Sequence, residues 1–458
     1  MIDLPIEFTE KFTGLLGSDE ANKLFNALQE PTKKAFRLNP LKSGYKDVKQ
    51  DLTEKLALIK DAYVGQIDGH SIEQLAGYVY SQDPAAMFVA EAAAVHPGER
   101  VLDLCAAPGG KTTQLASGLH QQGVLVANEI NQSRAKTLLE NVERWGIQNS
   151  LVLNESPARL VPYFTGFFDK IVVDAPCSGE GMFRKDPVAV KYWSPDYVAT
   201  CQIRQQEIVS AAYAMLRPGG RLIYSTCTFS PEENEQIVEY LLGQFSDMKL
   251  VPIQTRAEFD PGHPEWGTTG NAELRYTARF WPQRNFGEGQ FVAILEKSSA
   301  VAANESHVAA QLMAFDSRKN VFDQDAIREF FAKIKQTDLL SGKRQPTISN
   351  NHVFLPIINP AAIKGLRILR NGLELGELKK KRFLPHHQLV QILDPDSVPF
   401  IKLNSDEEFR KFVHGETIKV ESPLRGFLPV AYQHKIFSWG KLGNDGILKN
   451  FYPKGLRR

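Results

Sequence analysis

The sequence predicts an α/β fold built around a doubly wound, Rossmann-like parallel sheet. From residue 100, apolar runs of four to six residues alternate with helical stretches, which is the pattern of parallel strands joined by crossover helices. A glycine-containing loop follows the first of these runs, and ligands of doubly wound sheets bind beside such loops at the carboxyl ends of the strands. Beyond about residue 350, strands separated by turns predominate, so a second, β-rich module is expected there.

A chain of 458 residues exceeds one compact domain, and its patterning predicts four parts. Residues 1–80 mix helical pieces with short strands such as 35–42, and we expect an N-terminal α/β domain. Residues 81–298 form the Rossmann-like domain, which opens with a helix capped by Asp83, begun at Pro84 and ended before Pro97. Residues 299–345 are weakly patterned and predict a linker with short helices. Residues 346–458 form the β-rich module.

Individual elements follow from the same patterns. In the central domain the predicted strands are 100–104, 124–129, 151–154, 170–174 and 221–226, with 248–253 and 290–296 closing the far edge of the sheet. The predicted helices are one from about residue 112, then 133–146, 197–216 and 231–245. In the C-terminal module we expect strands within 352–357, 365–380, 387–393, 426–432, 435–443 and 446–453.

Composition places the chain in the reducing cytoplasm. Hydrophobic residues make up 43% and charged residues 23%, no apolar run is long enough for a membrane span, and the N-terminus has no signal-peptide pattern. The four cysteines predict neither a disulfide framework nor a zinc site, because none fall in CxxC pairs. We therefore expect no bound metal and no contact with a membrane.

Charge is unevenly distributed along the chain. Residues 361–458 contain 18 Lys and Arg against 10 Asp and Glu, a net charge of +8 in a chain whose total is only +1. This asymmetry predicts that the C-terminal module contacts an anion such as nucleic acid. A basic face that is merely solvated is the alternative.

The loop DLCAAPGGKTTQLA, residues 103–116, admits two interpretations. A nucleotide-binding P-loop fits its end, Gly110-Lys111-Thr112, but requires glycine where the chain has Cys105. Pro108 also lacks one of the backbone N–H groups that a phosphate cradle uses. The P-loop interpretation is therefore disfavoured.

An adenosine-containing cofactor is the better interpretation of this loop. Gly109 and Gly110 allow the backbone to approach a ligand closely, and the helix N-terminus behind them favours a carboxylate. Glu129 ends the next strand, twenty residues after Gly109, where an acidic side chain can hold ribose hydroxyl groups. Together these features predict S-adenosylmethionine as the cofactor.

Two cysteines lie at the carboxyl ends of neighbouring predicted strands. Cys177 follows Asp174 in KIVVDAPCSGEGMF, residues 170–183, and Cys227 ends the run RLIYSTC. A thiolate beside a methyl donor suits methylation of cytosine at carbon 5, because adding sulfur to carbon 6 makes carbon 5 nucleophilic. Asp174 can hydrogen-bond the N3/N4 edge of the base, and Lys111 can add positive charge near the ring.

The residues alone leave open which of the two cysteines is the nucleophile. DNA cytosine methyltransferases use the cysteine of a Pro-Cys pair, which here is Cys177. A disulfide between the two is a further alternative, disfavoured in a reducing cytosol. Cys105, in the glycine loop, and Cys201, within a predicted helix, are interpreted as structural.

The motifs together resemble the Sun/NSUN family of RNA cytosine-5 methyltransferases. They are DLCAAPGGKT, VDAPCSGEG, RPGGRLIYSTCTFSPEENE and GEGQFVA, while GYVYSQDPAAM resembles the family's entry segment. GLRILRNGLELGELKK and WGKLGNDGILKNFYPKGLRR resemble the C-terminal PUA-like RNA-binding module of bacterial RsmF enzymes. The resemblance covers nearly the whole chain and implies methylation of cytosine in small-subunit (16S) ribosomal RNA.

The resemblance also implies roles for individual residues. Cys227 is the nucleophile, and Cys177 assists proton removal and enzyme release. The donor site comprises Cys105, Ala106, Ala107, Pro108, Gly109, Gly110, Lys111, Glu129, Asn154, Ser156 and Asp174.

The sequence departs from the family pattern at two places, one near the adenine of the cofactor and one where relatives contact RNA. The loop 154–156 lacks the aspartate that many relatives have near the adenine, and Gln283 and Gln290 stand where many relatives have histidine.

Three functions remain in competition at this point. The first is a monomeric, cytoplasmic RNA cytosine-5 methyltransferase that binds ribosomal RNA or the small ribosomal subunit. The second is a tRNA cytosine-5 methyltransferase, against which the C-terminal module argues. The third is a non-catalytic rRNA-binding assembly factor, against which Cys227, Cys177 and Asp174 argue, because decayed sites lose such groups.

Overall fold

The computed structural model describes residues 2–299, 307–315, 325–341, 344, 346–380 and 382–457. Much of the predicted linker 299–345, namely 300–306, 316–324, 342–343 and 345, lies outside the described residues. The domain boundaries deduced from the sequence stay predictions.

The N-terminal elements are α1 Ile6–Leu16, α2 Ser18–Ala27, β1 Ala35–Leu38, β2 Ala62–Val64, α3 Ile72–Leu75 and β3 Val79–Ser81. The three strands form an antiparallel sheet in the order β2-β1-β3. Helix α1 buries Phe8 against Phe183 and Trp193, whose ring centroids lie 5.3 and 5.5 Å from that of Phe8. The N-terminal helix therefore supports the chain segment that follows Cys177.

The central elements confirm the predicted alternation of strands and helices. They are α4 Pro84–Ala92, β4 Arg100–Asp103, α5 Gly110–Leu119, β5 Val124–Asn128, α6 Gln132–Trp145, β6 Ser150–Leu153, α7 Pro157–Phe164, β7 Phe168–Asp174, α8 Pro187–Tyr192, α9 Pro195–Met215, β8 Leu216–Thr226, α10 Glu235–Gln244, β9 Met248–Leu250, β10 Asp260–Pro261, β11 Ala278–Phe280 and β12 Gln290–Lys297. Helix α4 begins as predicted, because the Asp83 carboxylate accepts hydrogen bonds from the backbone N–H groups of Ala85 and Ala86.

The C-terminal elements are α11 His307–Met313, α12 Asp325–Lys333, α13 Asp338–Ser341, β13 Thr347–Ser349, β14 His352–Leu355, β15 Ile368–Asn371, β16 Leu373–Lys379, β17 Arg382–Pro385, α14 His387–Val390, β18 Ile401–Leu403, α15 Asp406–His414, β19 Ile418–Lys419, β20 Gly426–Tyr432, β21 Lys435–Leu442 and β22 Ile447–Asn450. They form one sheet in the order β13-β14-β16-β17 and another in the order β18-β20-β21-β22-β19.

The central sheet is Rossmann-like and has the strand order β10-β11-β12-β8-β7-β4-β5-β6-β15. Strands β8, β7, β4, β5 and β6 are mutually parallel, and β12 runs antiparallel to β8. The chain proceeds from β4 through β5 to β6 on one side and from β7 to β8 on the other. The carboxyl ends of β4 and β7 therefore mark the switch point, where a doubly wound sheet opens a ligand crevice.

The expectation for the sheet edges was wrong. Strands β9 and β12 were expected to close the far edge, but β12 is interior to the sheet, and β9 pairs only with β12. One edge is β10, and the other is β15, which belongs to the C-terminal part and pairs antiparallel with β6. The two parts are thus joined through a shared sheet, because β15 completes the hydrogen bonding of β6.

The prediction of a strand over 387–393 was also wrong, since this stretch begins with helix α14. The His386 ring nitrogen Nδ1 accepts a hydrogen bond from the backbone N–H of Gln388 and caps the helix. The buried Gln388 amide then bonds Ile147 O and Gly372 O and accepts from Glu374 N. The helix thus directs this polar side chain to three backbone groups, Ile147 O, Gly372 O and Glu374 N.

Helix α15 was absent from the predicted elements although its start has a sequence signal. The Ser405 hydroxyl oxygen accepts from the backbone N–H of Glu408, and the Glu408 carboxylate accepts from Asn404 N. This Ser-x-x-Glu arrangement is a variant of the helix capping box. Across the described ranges, none of the helices has the length and apolar character needed to cross a membrane.

Candidate active site

The two predicted catalytic cysteines lie next to each other at one edge of the central sheet. Strands β7 and β8 are parallel neighbours with Asp174 opposite Ser225, so their carboxyl ends coincide. Cys177 follows the first strand and Cys227 the second, and their Sγ atoms are 3.3 Å apart. Both cysteines are free thiols and line a cleft of about 490 Å³.

The environments of the two sulfurs differ. The hydrogen bond with Cys227 Sγ, together with burial, raises the pKa of the Cys177 thiol well above its ordinary value. Cys177 therefore keeps its proton near neutral pH and can donate it towards Cys227.

Asp174 is fixed at the cleft by three hydrogen-bond donors. Its Oδ2 accepts from Lys111 Nζ at 2.6 Å, and its Oδ1 accepts from Ser225 Oγ at 2.6 Å and Gln290 Nε2 at 3.1 Å. Burial alone lowers the pKa of the Lys111 ammonium, but the adjacent Asp174 carboxylate outweighs it and the pKa is raised. Lys111 and Asp174 thus form a partly buried ion pair beside the two sulfurs.

Gln290 was noted in the sequence only as a departure from the family pattern. The structure places it at the start of β12, buried, with its amide on Asp174. No signal in the sequence alone indicates this contact, because it depends on the pairing of β12 with β8, the strand that precedes Cys227. Gln283, the other departure, lies in a short 3₁₀ turn and does not line the cleft.

The predicted cofactor loop joins β4 to α5 and is held by hydrogen bonds from two side chains of α6. Gly109 has a φ of 114°, in the left-handed region that favours glycine, and precedes the first turn of α5. Arg134 Nη2 donates to Ala107 O, and Asn141 Nδ2 donates to Pro108 O, both at 2.7 Å. Of residues 105–111, Cys105 and Ala107 line the cleft itself.

Glu129 reaches the same cleft from the end of β5. Its side chain is almost fully buried, and Oε1 accepts from the backbone N–H of Asn131 at 2.8 Å. The neighbouring Ile130 also lines the cleft and is 66% exposed. A carboxylate and an exposed apolar side chain side by side suit a ligand that carries ribose hydroxyl groups and a flat base.

The two donor-site residues predicted in the loop 154–156 lie in different surroundings. Ser156 lines the cleft, whereas Asn154 is buried and does not line it. Asn154 Nδ2 instead donates to the backbone oxygens of Glu129 and Ile130, at 2.7 and 2.9 Å. Its contact is thus with the backbone of the segment that carries Glu129.

The remaining cysteines are held as neutral thiols. Burial raises the pKa of Cys105, and it raises that of Cys201 in α9 to about 11. Cys201 does not line the cleft. Within the described part of the chain, no group of three or more His, Cys, Asp or Glu side chains could hold a metal ion.

The remaining cleft walls come from α6, α7 and α9 and from the carboxyl ends of β4, β5 and β7. The lining residues beyond those already placed are Leu104, Asn128, Arg134, Pro157, Ala158, Ala175, Pro176, Arg204, Glu207 and Ile208. The cleft thus spans from the glycine loop and Glu129 at one end to the paired sulfurs at the other.

The strand order, the glycine loop and the acid that follows β5 are those of a Rossmann-like methyltransferase. Four family models match the sequence. They are 16S rRNA methyltransferase RsmB/F over 90–296, the N-terminal domain of 16S rRNA methyltransferase RsmF over 4–84, the RsmF rRNA methyltransferase first C-terminal domain over 329–393 and the methyltransferase RsmF PUA domain over 404–458.

Whole-chain relatives narrow the class further. Ribosomal RNA small subunit methyltransferase F of Vibrio vulnificus (strain YJ016) is 31% identical over 472 residues, covering 99% of this chain and 98% of the relative. The protein of the same name from Aliivibrio fischeri (strain MJ11) is 31% identical, covering 94% and 93%. A methyltransferase homolog protein from Pyrococcus horikoshii has a similar structure, with TM-score 0.55 and 27% identity over 64% of this chain and 100% of its own. The chain belongs to the RsmF family of ribosomal RNA small subunit methyltransferases, which confirms the resemblance drawn from the motifs.

Proposed function

We propose that this enzyme methylates carbon 5 of cytosine in small-subunit (16S) ribosomal RNA through a covalent adduct with Cys227. The observation that carries the proposal is the 3.3 Å separation of Cys177 Sγ and Cys227 Sγ at one end of the cleft. A single methyl transfer to a nucleophilic atom needs no such pair. A reaction that first forms and then breaks a bond to sulfur requires a nucleophile and a group that manages protons.

S-adenosylmethionine is the methyl donor, and when bound it supplies an electrophilic methyl group. The side chains at the donor end fit it: the Glu129 carboxylate suits ribose hydroxyl groups, and the exposed Ile130 suits the adenine. The N-terminus of α5, behind Gly109, suits the carboxylate of the methionine part.

Each residue then has a step in the reaction. The Cys227 thiolate adds to carbon 6, and the ring's electron pair moves towards N3. The Lys111 ammonium stabilises the negative charge there, while the Asp174 carboxylate accepts a hydrogen bond from the N4 amino group. Carbon 5 then attacks the methyl group. Once Cys227 is bonded to carbon 6, its negative charge no longer raises the pKa of Cys177, which can lose its proton to water. The Cys177 thiolate then takes the carbon 5 proton, directly or through water. The electrons of the carbon 5–hydrogen bond form the ring double bond, and the carbon 6–sulfur bond breaks to return the Cys227 thiolate. The 3.3 Å contact between the two sulfurs supports this division of roles, because it places Cys177 beside the ring when Cys227 is bonded to carbon 6.

The affinity for S-adenosylmethionine tests the assignment of Glu129 to the ribose hydroxyl groups. Glu129→Ala removes a buried acceptor from the cleft, and we expect the binding of S-adenosylmethionine to weaken by about 1–3 kcal/mol. Calorimetry on the free protein measures this. Glu99→Ala is the matched control, because Glu99 pairs with Lys170 and does not line the cleft. Equal affinity in wild type and Glu129→Ala would move the ribose contact elsewhere.

RNA binding by the C-terminal module can be assigned to a particular surface. Lys441 of β21 lies opposite Lys449 of β22, and Lys419 of β19 lies opposite Ile447, so the three exposed lysines share one face of the sheet. Phe427 is opposite Lys441 on that face and packs edge-on against Phe451, which is 38% exposed. We call Lys419, Lys441, Lys449, Phe427 and Phe451 the basic face. Lysines among partly exposed aromatic rings suit a nucleic acid strand, since they bind phosphates while the rings contact bases.

Salt dependence tests the basic face. The triple variant Lys419→Ala, Lys441→Ala and Lys449→Ala should bind RNA more weakly and flatten the plot of log affinity against log salt by about two units. The reason is that fewer counterions are released, at about 0.7 per phosphate contact on a single strand. Truncation is a poorer test, because β15 belongs to the central sheet.

The matched control removes the same charge from the same module. The control variant combines Lys402→Ala on β18 with Arg410→Ala and Lys411→Ala on α15. Arg410 is already paired with Asp406, and Lys411 with Glu407. This control should leave the slope close to that of wild type. Identical slopes for the basic-face variant and wild type would show that the basic excess is only a solvated face. We further propose that the enzyme acts as a monomer in the cytoplasm, which size-exclusion chromatography and fractionation test.

A further inference from the structure

Two glutamates with fully buried side chains lie behind the paired cysteines, and each reaches across to the other cysteine's loop. Glu180 lies three residues after Cys177, and Glu233 lies six residues after Cys227. Buried carboxyl groups are costly unless they are hydrogen-bonded. Their contacts therefore show what they hold in place.

Glu180 binds the loop that follows Cys227. Its Oε2 accepts from Thr228 Oγ1 at 2.6 Å and from Phe229 N at 2.8 Å. Its Oε1 accepts from Ser230 Oγ at 2.5 Å and from Trp193 Nε1 at 2.8 Å. Four donors converge on the two oxygens, so this group is a carboxylate that acts only as an acceptor.

Glu233 binds the loop that carries Cys177. Its Oε2 accepts from Ser178 N at 2.9 Å and from Gln205 Nε2 at 2.8 Å, and its Oε1 contacts Ser178 Oγ. Gln205 Nε2 also donates to Pro176 O at 3.1 Å. The residues on both sides of Cys177 are therefore tied to Glu233.

A count of protons fixes the state of the pair. Four oxygens stand in a row: Glu233 Oε1, Ser178 Oγ, Thr228 Oγ1 and Glu180 Oε2, with the last two contacts at 2.7 and 2.6 Å. Each of the three contacts needs one proton, but the two hydroxyl groups bring only two. The third proton must come from a carboxyl group. Outside this row Glu180 accepts from three donors, namely Phe229 N, Trp193 Nε1 and Ser230 Oγ, whose oxygen in turn accepts from Lys11 Nζ. Glu233 accepts from only two, Ser178 N and Gln205 Nε2, so we assign the proton to Glu233.

The electrostatics agree with this count. Burial, together with the nearby Glu180 carboxylate, raises the pKa of Glu233 to about 7. Glu233 then donates to Ser178 Oγ, Ser178 to Thr228 Oγ1, and Thr228 to Glu180.

We propose that the Glu180 carboxylate and the protonated Glu233 are positioning residues that together hold the Cys177 and Cys227 sulfurs in register for one reacting ring. The inference rests on the proposed function of the two cysteines. Neither glutamate lines the cleft. Both act through the loops 176–178 and 228–230.

Glutamine substitutions separate the two glutamates. In Glu233→Gln the amide nitrogen donates to Ser178 Oγ and the amide oxygen accepts from Ser178 N, as the neutral acid does, so kcat should stay within about twofold of wild type. In Glu180→Gln an amide N–H₂ faces hydrogen-bond donors, and kcat should fall by about 10- to 100-fold, the size of effect expected from a shift of about 1 Å. The kcat of Glu233→Ala should fall by a similar factor. The KM for S-adenosylmethionine should be unchanged in all three, because the donor end of the cleft is untouched.

A second measurement reports sulfur geometry without turnover. Diamide oxidises two thiols to a disulfide, taking up their two electrons and two protons to become a hydrazine, and the rate depends on how the sulfurs approach each other. With Cys105 and Cys201 replaced by Ala in every sample, Cys177–Cys227 disulfide formation should be at least about tenfold slower in Glu180→Gln than in wild type or Glu233→Gln. Glu239→Gln is the matched control, because Glu239 bonds the backbone of Thr268 and Thr269 and neither cysteine loop. It should match wild type in both measurements.

Several outcomes would overturn the proposal. A folded Glu180→Gln with wild-type kcat and oxidation rate removes the positioning role, and equal losses in Glu180→Gln and Glu233→Gln remove the assigned proton. If Glu180→Gln does not fold, Thr228→Val tests the same row of hydrogen bonds, because it removes the Thr228 hydroxyl group at nearly equal side-chain volume. Thr228→Ser keeps the hydroxyl group and should therefore keep a higher kcat than Thr228→Val. Equal kcat in the two Thr228 variants contradicts the proposal. Wild-type turnover in Cys227→Ser refutes the proposed chemistry instead, while the oxidation rates still report on the glutamates.

Discussion

Cys227→Ser is expected to abolish methyl transfer while leaving the binding of donor and RNA intact. A serine hydroxyl is almost fully protonated near neutral pH and is a far weaker nucleophile than a thiolate. Loss of a covalent nucleophile of this kind lowers turnover by at least about 1000-fold. The measurement is transfer of tritiated methyl from S-adenosylmethionine to small-subunit ribosomal RNA.

Cys201→Ser is the matched control for that experiment. Cys201 undergoes the same change of sulfur to oxygen but lies within α9 and does not line the cleft. It should keep turnover close to that of wild type. If Cys227→Ser also transferred tritium at the wild-type rate, the adduct with Cys227 would not lie on the reaction path.

Cys177→Ala is expected to trap the enzyme on its substrate. After methyl transfer, carbon 5 carries both the methyl group and a proton, and carbon 6 is bonded to Cys227. The bond to sulfur cannot break until that proton is removed, and Cys177 Sγ, 3.3 Å from Cys227 Sγ, is placed to remove it. With donor and RNA present, a protein–RNA complex stable to denaturing electrophoresis should accumulate.

The double variant provides the control for the trapped complex. Cys177→Ala combined with Cys227→Ser should show no such band, because the bond to carbon 6 is never made. The opposite pattern, with Cys227→Ser trapping RNA and Cys177→Ala releasing it, would exchange the two roles. The Pro-Cys sulfur would then be the nucleophile, as in DNA cytosine methyltransferases.

The central fold was predictable because its signals are local. The strands that end at Asp103 and Asp174 are buried apolar runs, and Asp83 and Pro84 mark a helix start by their own chemistry. The meeting of Cys177 and Cys227 followed from one rule, that the carboxyl ends of parallel strands share an edge. No contact between distant segments had to be guessed for that step.

What could not be predicted depends on contacts between distant segments. Gln290 is remote in sequence from Asp174, and only the pairing of β12 with β8 brings its amide to the carboxylate. The short helix at Gln388 is stabilised by the backbone of residues 147 and 372. Glu180 and Glu233 resembled ordinary acids in their motifs, because their burial and shared proton exist only after both cysteine loops have folded together.

Bisulfite sequencing of small-subunit ribosomal RNA tests the central claim most directly. RNA from a deletion strain is compared with RNA from the same strain carrying the wild-type gene or Cys227→Ser. We expect at least one cytosine to lose its protection in the deletion strain and to regain it with wild type but not with Cys227→Ser. Protection that is unchanged at every cytosine of this RNA in the deletion strain would contradict the assignment of a small-subunit cytosine-5 methyltransferase.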